Sequence, residues 1–160
     1  MTPFQWDESM SVGDPMLDRE HKVLVNLINK VLEISAGPDR DVEIMHALTD
    51  MYLYAKEHFF DEEGLMQRLD YPDRERHIGL HRAFVEKAQA LTDDCLDGTL
   101  DFQEFADYLM HWLKRHIAEE DLKIVIFAQS QAEADTEEGL DNDDDDETES
   151  DTDNTGGCTV

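Results

Sequence analysis

The stretch YAKEHFFDEEGLMQRLDYPDRERHIGLH, residues 54–81, sets three histidines and a run of acids among Leu, Met, Phe and Ile. Its centre, DYPD at 70–73, separates two segments of helical period. Before the break, Ile44, Leu48, Met51, Ala55, His58, Glu62 and Leu65 recur in alternating steps of four and three, which puts them on one helix face. After it, His77, His81, Phe84, Ala88 and Leu91 form a similar stripe. The stretch therefore predicts two helices meeting at a turn, each with ionisable groups on the face that should enter a core.

Working outward, a helix from about Asp18 to Ser35 carries Leu24, Val25, Ile28, Val31 and Leu32 on one face, with His21 one turn earlier and AGPD ending it. The second helix is expected from about Asp41 to Leu69. The third begins near Pro72, a residue the first turn tolerates, and runs to about Leu96 before DGT. A fourth starts after Asp101, whose spacing to Glu104 resembles a capping box, and continues to about Ala128. Its stripe is Phe105, Leu109, Trp112 and His116, with Asp121 shortly beyond. No segment sustains strand alternation. Four helices with short connections predict an all-α protein, an antiparallel up-and-down four-helix bundle preceded by an irregular N-terminal arm containing Trp6. A chain of 160 residues, 40% apolar, suits one such core.

Residues 130–160 hold 13 of the 40 acidic residues, no Lys or Arg, and almost nothing to bury. Such a segment cannot offset its ordering entropy, so the expected division is a bundle at 1–129 and a disordered acidic tail at 130–160. Its expected role is solvation or adaptation to salt, with docking to a basic partner as the second reading. The acidic run lacks the central glycine and closing glutamate of a calcium loop. A net charge of -27 disfavours nucleic acid and anionic membranes as partners. The start, MTPFQWDESMSVGD, lacks a basic region followed by an apolar core, and IVIFA is too short for a bilayer, so a soluble, cytoplasmic protein without membrane insertion is expected. Cys95 and Cys158 are expected as free thiols, and Cys158, third from the end, does not meet the prenylation pattern.

A buried carboxylate without a partner costs several kcal/mol. Singly, a core histidine can be a hydrogen-bonded packing residue, and Glu62 or Asp121 can be solvated. The joint pattern is harder to explain that way: His21, His58, His77, His81, His116, Glu62 and Asp121 fall at corresponding depths of four helices, twice at i, i+4 spacing. Seven donors exceed the four of a structural zinc site, so two metals sharing bridging carboxylates fit better, and a nitrogen-rich set with two acids suits iron. His46 and His111 lie off the stripes and are expected at the surface. Asp121 is about 140° around a regular helix from His116, so it shares that face only through a π-bulge or by reaching sideways. Glu119 and Glu120 compete with it for the role.

The segments SVGDPMLDREHKVLVNLIN, HFFDEE, YPDRERHIGLH and HWLKRHIAEED, with Trp6 before them, resemble a bacterial hemerythrin across residues 6 to about 124. The resemblance implies a non-haem centre of two iron ions, with an oxo or hydroxo bridge, that binds O2 reversibly. It implies His77, His81 and His116 on one iron, His21 and His58 on the other, and Glu62 and Asp121 bridging them. The iron with one ligand fewer would then take O2. Phe59 and Trp112 match pocket residues of the family, and Val25, Ile28 and Ile117 join them as candidates by periodicity. An apolar pocket would withhold the protons that release peroxide. Ile124 stands where relatives often have tyrosine.

The expected function is thus O2 storage, delivery to an oxygen-consuming enzyme, or sensing, without catalysis. The rival readings are a di-iron redox enzyme handling nitric oxide or peroxide, and an iron-storing module. Ferritin-like catalysis needs two Glu-x-x-His pairs, and only EIMH, Glu43 to His46, has that spacing.

Overall fold

Asp14 decides where the first helix starts. Its carboxylate accepts the amides of Met16 and Leu17 at 2.8 and 3.0 Å, and Pro15 fills the first helical position, where a missing N–H costs nothing. Helix α1 accordingly spans Pro15–Glu33, beginning a few residues before the expected Asp18. In the computed structural model the described residues are 3–34 and 39–140, with backbone alone for 135–140. Most of the AGPD terminator lies outside the described residues, as do the thiol of Cys158 and residues 141–160 of the tail expected to be disordered from 130, whereas residues 130–140 of that tail are helical.

Helix α2 spans Arg40–Arg68. Beyond it Asp70 takes a left-handed φ of 50°, and the Tyr71 amide reaches back to the Met66 carbonyl, which closes the helix end. Helix α3 spans Arg74–Leu96, starting two residues after the expected Pro72 because Pro72 and Asp73 form the turn that feeds it. Helix α4, Phe102–His116, is capped by the Asp101 carboxylate on the Gln103 and Glu104 amides, both at 3.0 Å. A π turn over Ile117–Asp121 follows without a break, and α5 continues as Leu122–Leu140. The fourth helix was expected to end near Ala128. The further residues Gln129–Ala134 include good helix formers and neither Gly nor Pro, so nothing local stops the helix there.

The α1–α5 elements form the antiparallel four-helix bundle expected, with α4, the π turn and α5 as its last helix. Leu17, Ile44, Met51, Phe105 and Leu109 are essentially inaccessible to solvent, each contributing about 1.5–3 kcal/mol of burial. A smaller cluster of Met66, Tyr71 and Ile124 closes one region of the bundle, with Phe127 stacked edge-on to Tyr71. Ile124 is a fully buried member of that cluster. The N-terminal arm contains a short 3-10 turn, Glu8–Met10, and is tied to α1 twice. Asn29 exchanges hydrogen bonds with the Phe4 backbone, and Asp18 accepts from Ser11 Oγ at 2.5 Å and the Val12 amide at 2.9 Å. Among the described residues no helix is long and apolar enough to cross a membrane. Cys95 is a buried free thiol.

Candidate metal centre

The histidine stripes of α1, α2 and α3 and the end of α4 converge on one level of the bundle. Each of the seven residues singled out from the sequence is buried there: His21, His77, Glu62 and Asp121 at 0% exposure, His58 and His81 at 2%, His116 at 4%. Their donor atoms fall into two groups. Glu62, His77, His81 and His116 form one, and His21, His58 and Asp121 the other, with one atom from each member within 4.8 Å of the rest of its group.

The π turn resolves the spacing problem of Asp121. With one extra residue in the turn, Asp121 points back toward His116, its Oδ1 3.1 Å from His116 Nε2 and 3.4 Å from His77 Nε2, while Oδ2 lies 3.1 Å from His21 Nε2. Glu62 Oε2 stands 3.1 Å from His77 Nε2 and 3.0 Å from His81 Nε2. Glu119 is half exposed and paired with Arg115, and Glu120 is held by Arg76 and Lys123. His46 and His111 are exposed.

Most buried side-chain polar atoms without a hydrogen-bond partner, among the described residues, belong to this site. They are both nitrogens of His21, His77 Nδ1, Glu62 Oε1 and both oxygens of Asp121, the others being Trp6 Nε1 and Arg74 Nε. Buried groups of this kind are normally paired. Several stand near 3 Å from a neighbour yet are misaligned for hydrogen bonding, and the Nε2 atoms of His81 and His116 face each other at 3.1 Å. Donors that each lie about 2.0–2.2 Å from a shared ion, at roughly right angles, stand about 3 Å apart. The donor set thus fits cations better than it fits internal hydrogen bonding.

Two acids not anticipated from the sequence complete the arrangement. Glu20, 8% exposed, places Oε2 2.9 Å from His58 Nδ1, and Glu63 places Oε1 2.9 Å from His81 Nδ1. Each accepts a hydrogen bond from the Nδ1–H of its imidazole and leaves Nε2 as the lone-pair nitrogen for a metal. Glu20 lies on the buried stripe of α1, seven residues before Leu27 and beside His21, a signal that was readable in the spacing. Glu63, next to Glu62 and partly exposed, had none.

Without a cation, burial drives His116 down to about 3. Asp121 opposes this, and the His81, His77 and His58 imidazoles add to it. Burial also disfavours the charged forms of His58 and His77, but hydrogen bonds to Glu20 and to Glu62, with the surrounding carboxylates, outweigh it and raise both. For Glu62, burial is outweighed by hydrogen bonds from His77 and His81, which hold it well below the usual carboxylate range.

Beside the donors is an apolar cavity of about 10 Å³, lined by Leu24, Ile28, Met51, Ala55, Phe59, Phe84, Leu109, Trp112 and Leu113. That is near the lower limit for a site the size of one water molecule. Of the pocket candidates, Ile28, Phe59 and Trp112 line it, whereas Val25 and Ile117 are buried without lining it. Phe59 lies flat on His81, with ring centroids 3.9 Å apart, and Trp112 on His116 at 4.4 Å.

An all-α bundle with seven nitrogen and carboxylate donors gathered in its core defines a cation-binding helical protein. Residues 12–126 match the hemerythrin HHE cation binding domain, and the chain belongs to the hemerythrin family. It is 28% identical over 127 residues to the bacteriohemerythrin of Clostridium acetobutylicum, covering 76% of this chain and 98% of that one. It is 31% identical over 122 residues to the myohemerythrin of Riftia pachyptila, covering 76% and 91%. A crystal structure of wild-type hemerythrin superimposes with a TM-score of 0.69 at 24% identity, covering 76% of this chain and 94% of that one, a likeness of fold.

Proposed function

We propose that this chain binds O2 reversibly at a non-haem di-iron centre, serving oxygen storage, delivery to an oxygen-consuming enzyme, or sensing. The observation that supports this most is the unequal division of the donors, three imidazoles in one group and two in the other, with a carboxylate in each. His77, His81 and His116 would hold one iron, His21 and His58 the other, and Glu62 and Asp121 would bridge them. When bound, the iron pair supplies the electrons for reversible capture of O2.

The protein's own residues supply the rest. Glu20 and Glu63 orient the imidazoles of His58 and His81 by fixing the proton on Nδ1. Phe59 and Trp112 pack against the donors, Phe84 packs against both of those rings, and together they make the cavity wall apolar. Neutral imidazoles add no negative charge to the centre, which disfavours its permanent oxidation. Val25 and Ile117 are buried members of the same apolar core.

Iron content and the visible spectrum test the reading, on protein reduced without air, exposed to O2 and deoxygenated again. Two irons per chain and an absorption that comes and goes with O2 are expected. Irreversible conversion, or sustained turnover of nitric oxide or peroxide, would replace binding by redox catalysis, and many irons per chain would indicate storage of the metal. The exposure of His46 removes the one Glu-x-x-His pair from the core.

A further inference from the structure

Three acids in succession, Glu119, Glu120 and Asp121, follow His116, and only the last is fully buried. On a regular α-helix each residue advances by about 100°, so Glu120, four residues after His116, would share its face and Asp121 would not. The π turn reverses that choice. The Leu122 amide reaches the Ile117 carbonyl, five residues back, and the additional residue in the turn carries Asp121 inward. A π turn is the rarer state of a helix, so the α register, with Glu120 inward, is its natural competitor.

Glu120 is held away from the core by contacts from two elements. The Arg76 guanidinium on α3 bonds its Oε2, and Lys123 Nζ on α5 lies 3.2 Å from the same atom. Arg76 directly precedes His77, whose Nε2 faces Asp121 at 3.4 Å. The outward carboxylate and the inward one are therefore both referenced to the same turn of α3. Turning Glu120 into the core would strip Arg76 and Lys123 of their shared partner. Arg115 and Glu119 pair within one helical segment and are both exposed, so that pair is not tied to another helix.

We propose that Arg76 and Lys123 act as a register clamp: by holding Glu120 outside, they maintain the π turn and make Asp121, not Glu120, the acid presented to the metal centre. This rests on reading the buried cluster as a metal site. Arg76 is a positioning residue in this scheme, acting through Glu120.

The test uses the full chain, metal-free, with NMR contacts from the Glu120 and Asp121 side-chain protons to the His116 and His77 rings. The wild type is expected to show contacts from Asp121 alone. Arg76→Ala/Lys123→Ala, two partly exposed positions, should weaken them and bring in contacts from Glu120, Arg76→Lys should restore the wild-type pattern, and Glu120→Gln should weaken the Asp121 contacts. A doubly substituted protein that keeps Asp121 contacts unchanged, with none from Glu120, would overturn the clamp. Cobalt(II) titration of the wild type separates the two ideas. Fewer than two equivalents bound would defeat the metal reading, while the NMR contacts would still report on the register.

Discussion

Glu20 on α1 and His58 on α2 meet across the helix interface, carboxylate Oε2 to imidazole Nδ1 at 2.9 Å, in a buried environment. This contact aims the remaining nitrogen of His58 at the donor group it shares with His21 and Asp121.

Glu20→Ala should therefore weaken metal binding in that group by roughly 10–100-fold, the usual cost of removing such a support, with the His77/His81/His116 group affected less. Competition against a chelator, with cobalt(II) as probe, measures it. Equal affinity in the variant and the wild type would show that His58 orients without help.

The metal-free protein should be most stable near pH 6.5 and weaken on both sides. Raised His58 and His77 contribute stability that is fully present below about 6.5 and lost as pH rises through their folded values. His116 acts oppositely. Its folded value of about 3 means that the unfolded chain takes up a proton below about 6.5 that the native state refuses, so stability falls with acid across that window. The depressed Glu62 adds to the acid loss below the usual carboxylate range. Urea midpoints from pH 4 to 9 would show the maximum, and a monotonic trend would contradict it.

Phe59→Ala removes a ring that is 5% exposed and stacked on His81, and should cost about 3–5 kcal/mol of stability. It should also admit water beside the donors and speed permanent oxidation of the iron-loaded, O2-exposed protein. Denaturant midpoints and the decay of the oxygen-dependent spectrum read the two effects separately.

Removing residues 141–160 should leave O2 affinity unchanged, since the seven donors and the cavity-lining residues found among the described residues all precede them. Oxygen titration of the truncated protein settles it, and a shifted affinity would connect the acidic tail to the site.

Much of the fold was legible because apolar spacing and capping residues are local signals. The stripe from Ile44 to Leu65 and the break at DYPD placed two helices and their turn to within about two residues. The inward position of His58 and Glu62 followed from the same period. The π turn could be posed only as a condition for Asp121, because its stabilising partner, Arg76, lies 44 residues away from Glu120. Glu63 was invisible for a related reason: nothing in HFFDEE distinguishes an acid that supports His81 from one that faces water. The extension of the last helix to Leu140 was missed because low apolar content was read as absence of helix, although composition limits burial more directly than backbone conformation.

The extra residue at Ile117–Asp121 is absorbed within that one turn, so the helix beyond it keeps its phase. Ile124 and Val125, three and four residues after Asp121, face inward beside it, at 0% and 7% exposure. Deleting one residue at Ala118 would therefore remove the π turn and not the seal: the acid would stand four residues after His116 on a regular helix, about 40° from it, with Ile124 still seated against Met66 and Tyr71. The acid-bearing turn and the seal at Met66, Tyr71 and Ile124 are thus separable parts of one helix, the first able to gain or lose a residue without disturbing the second.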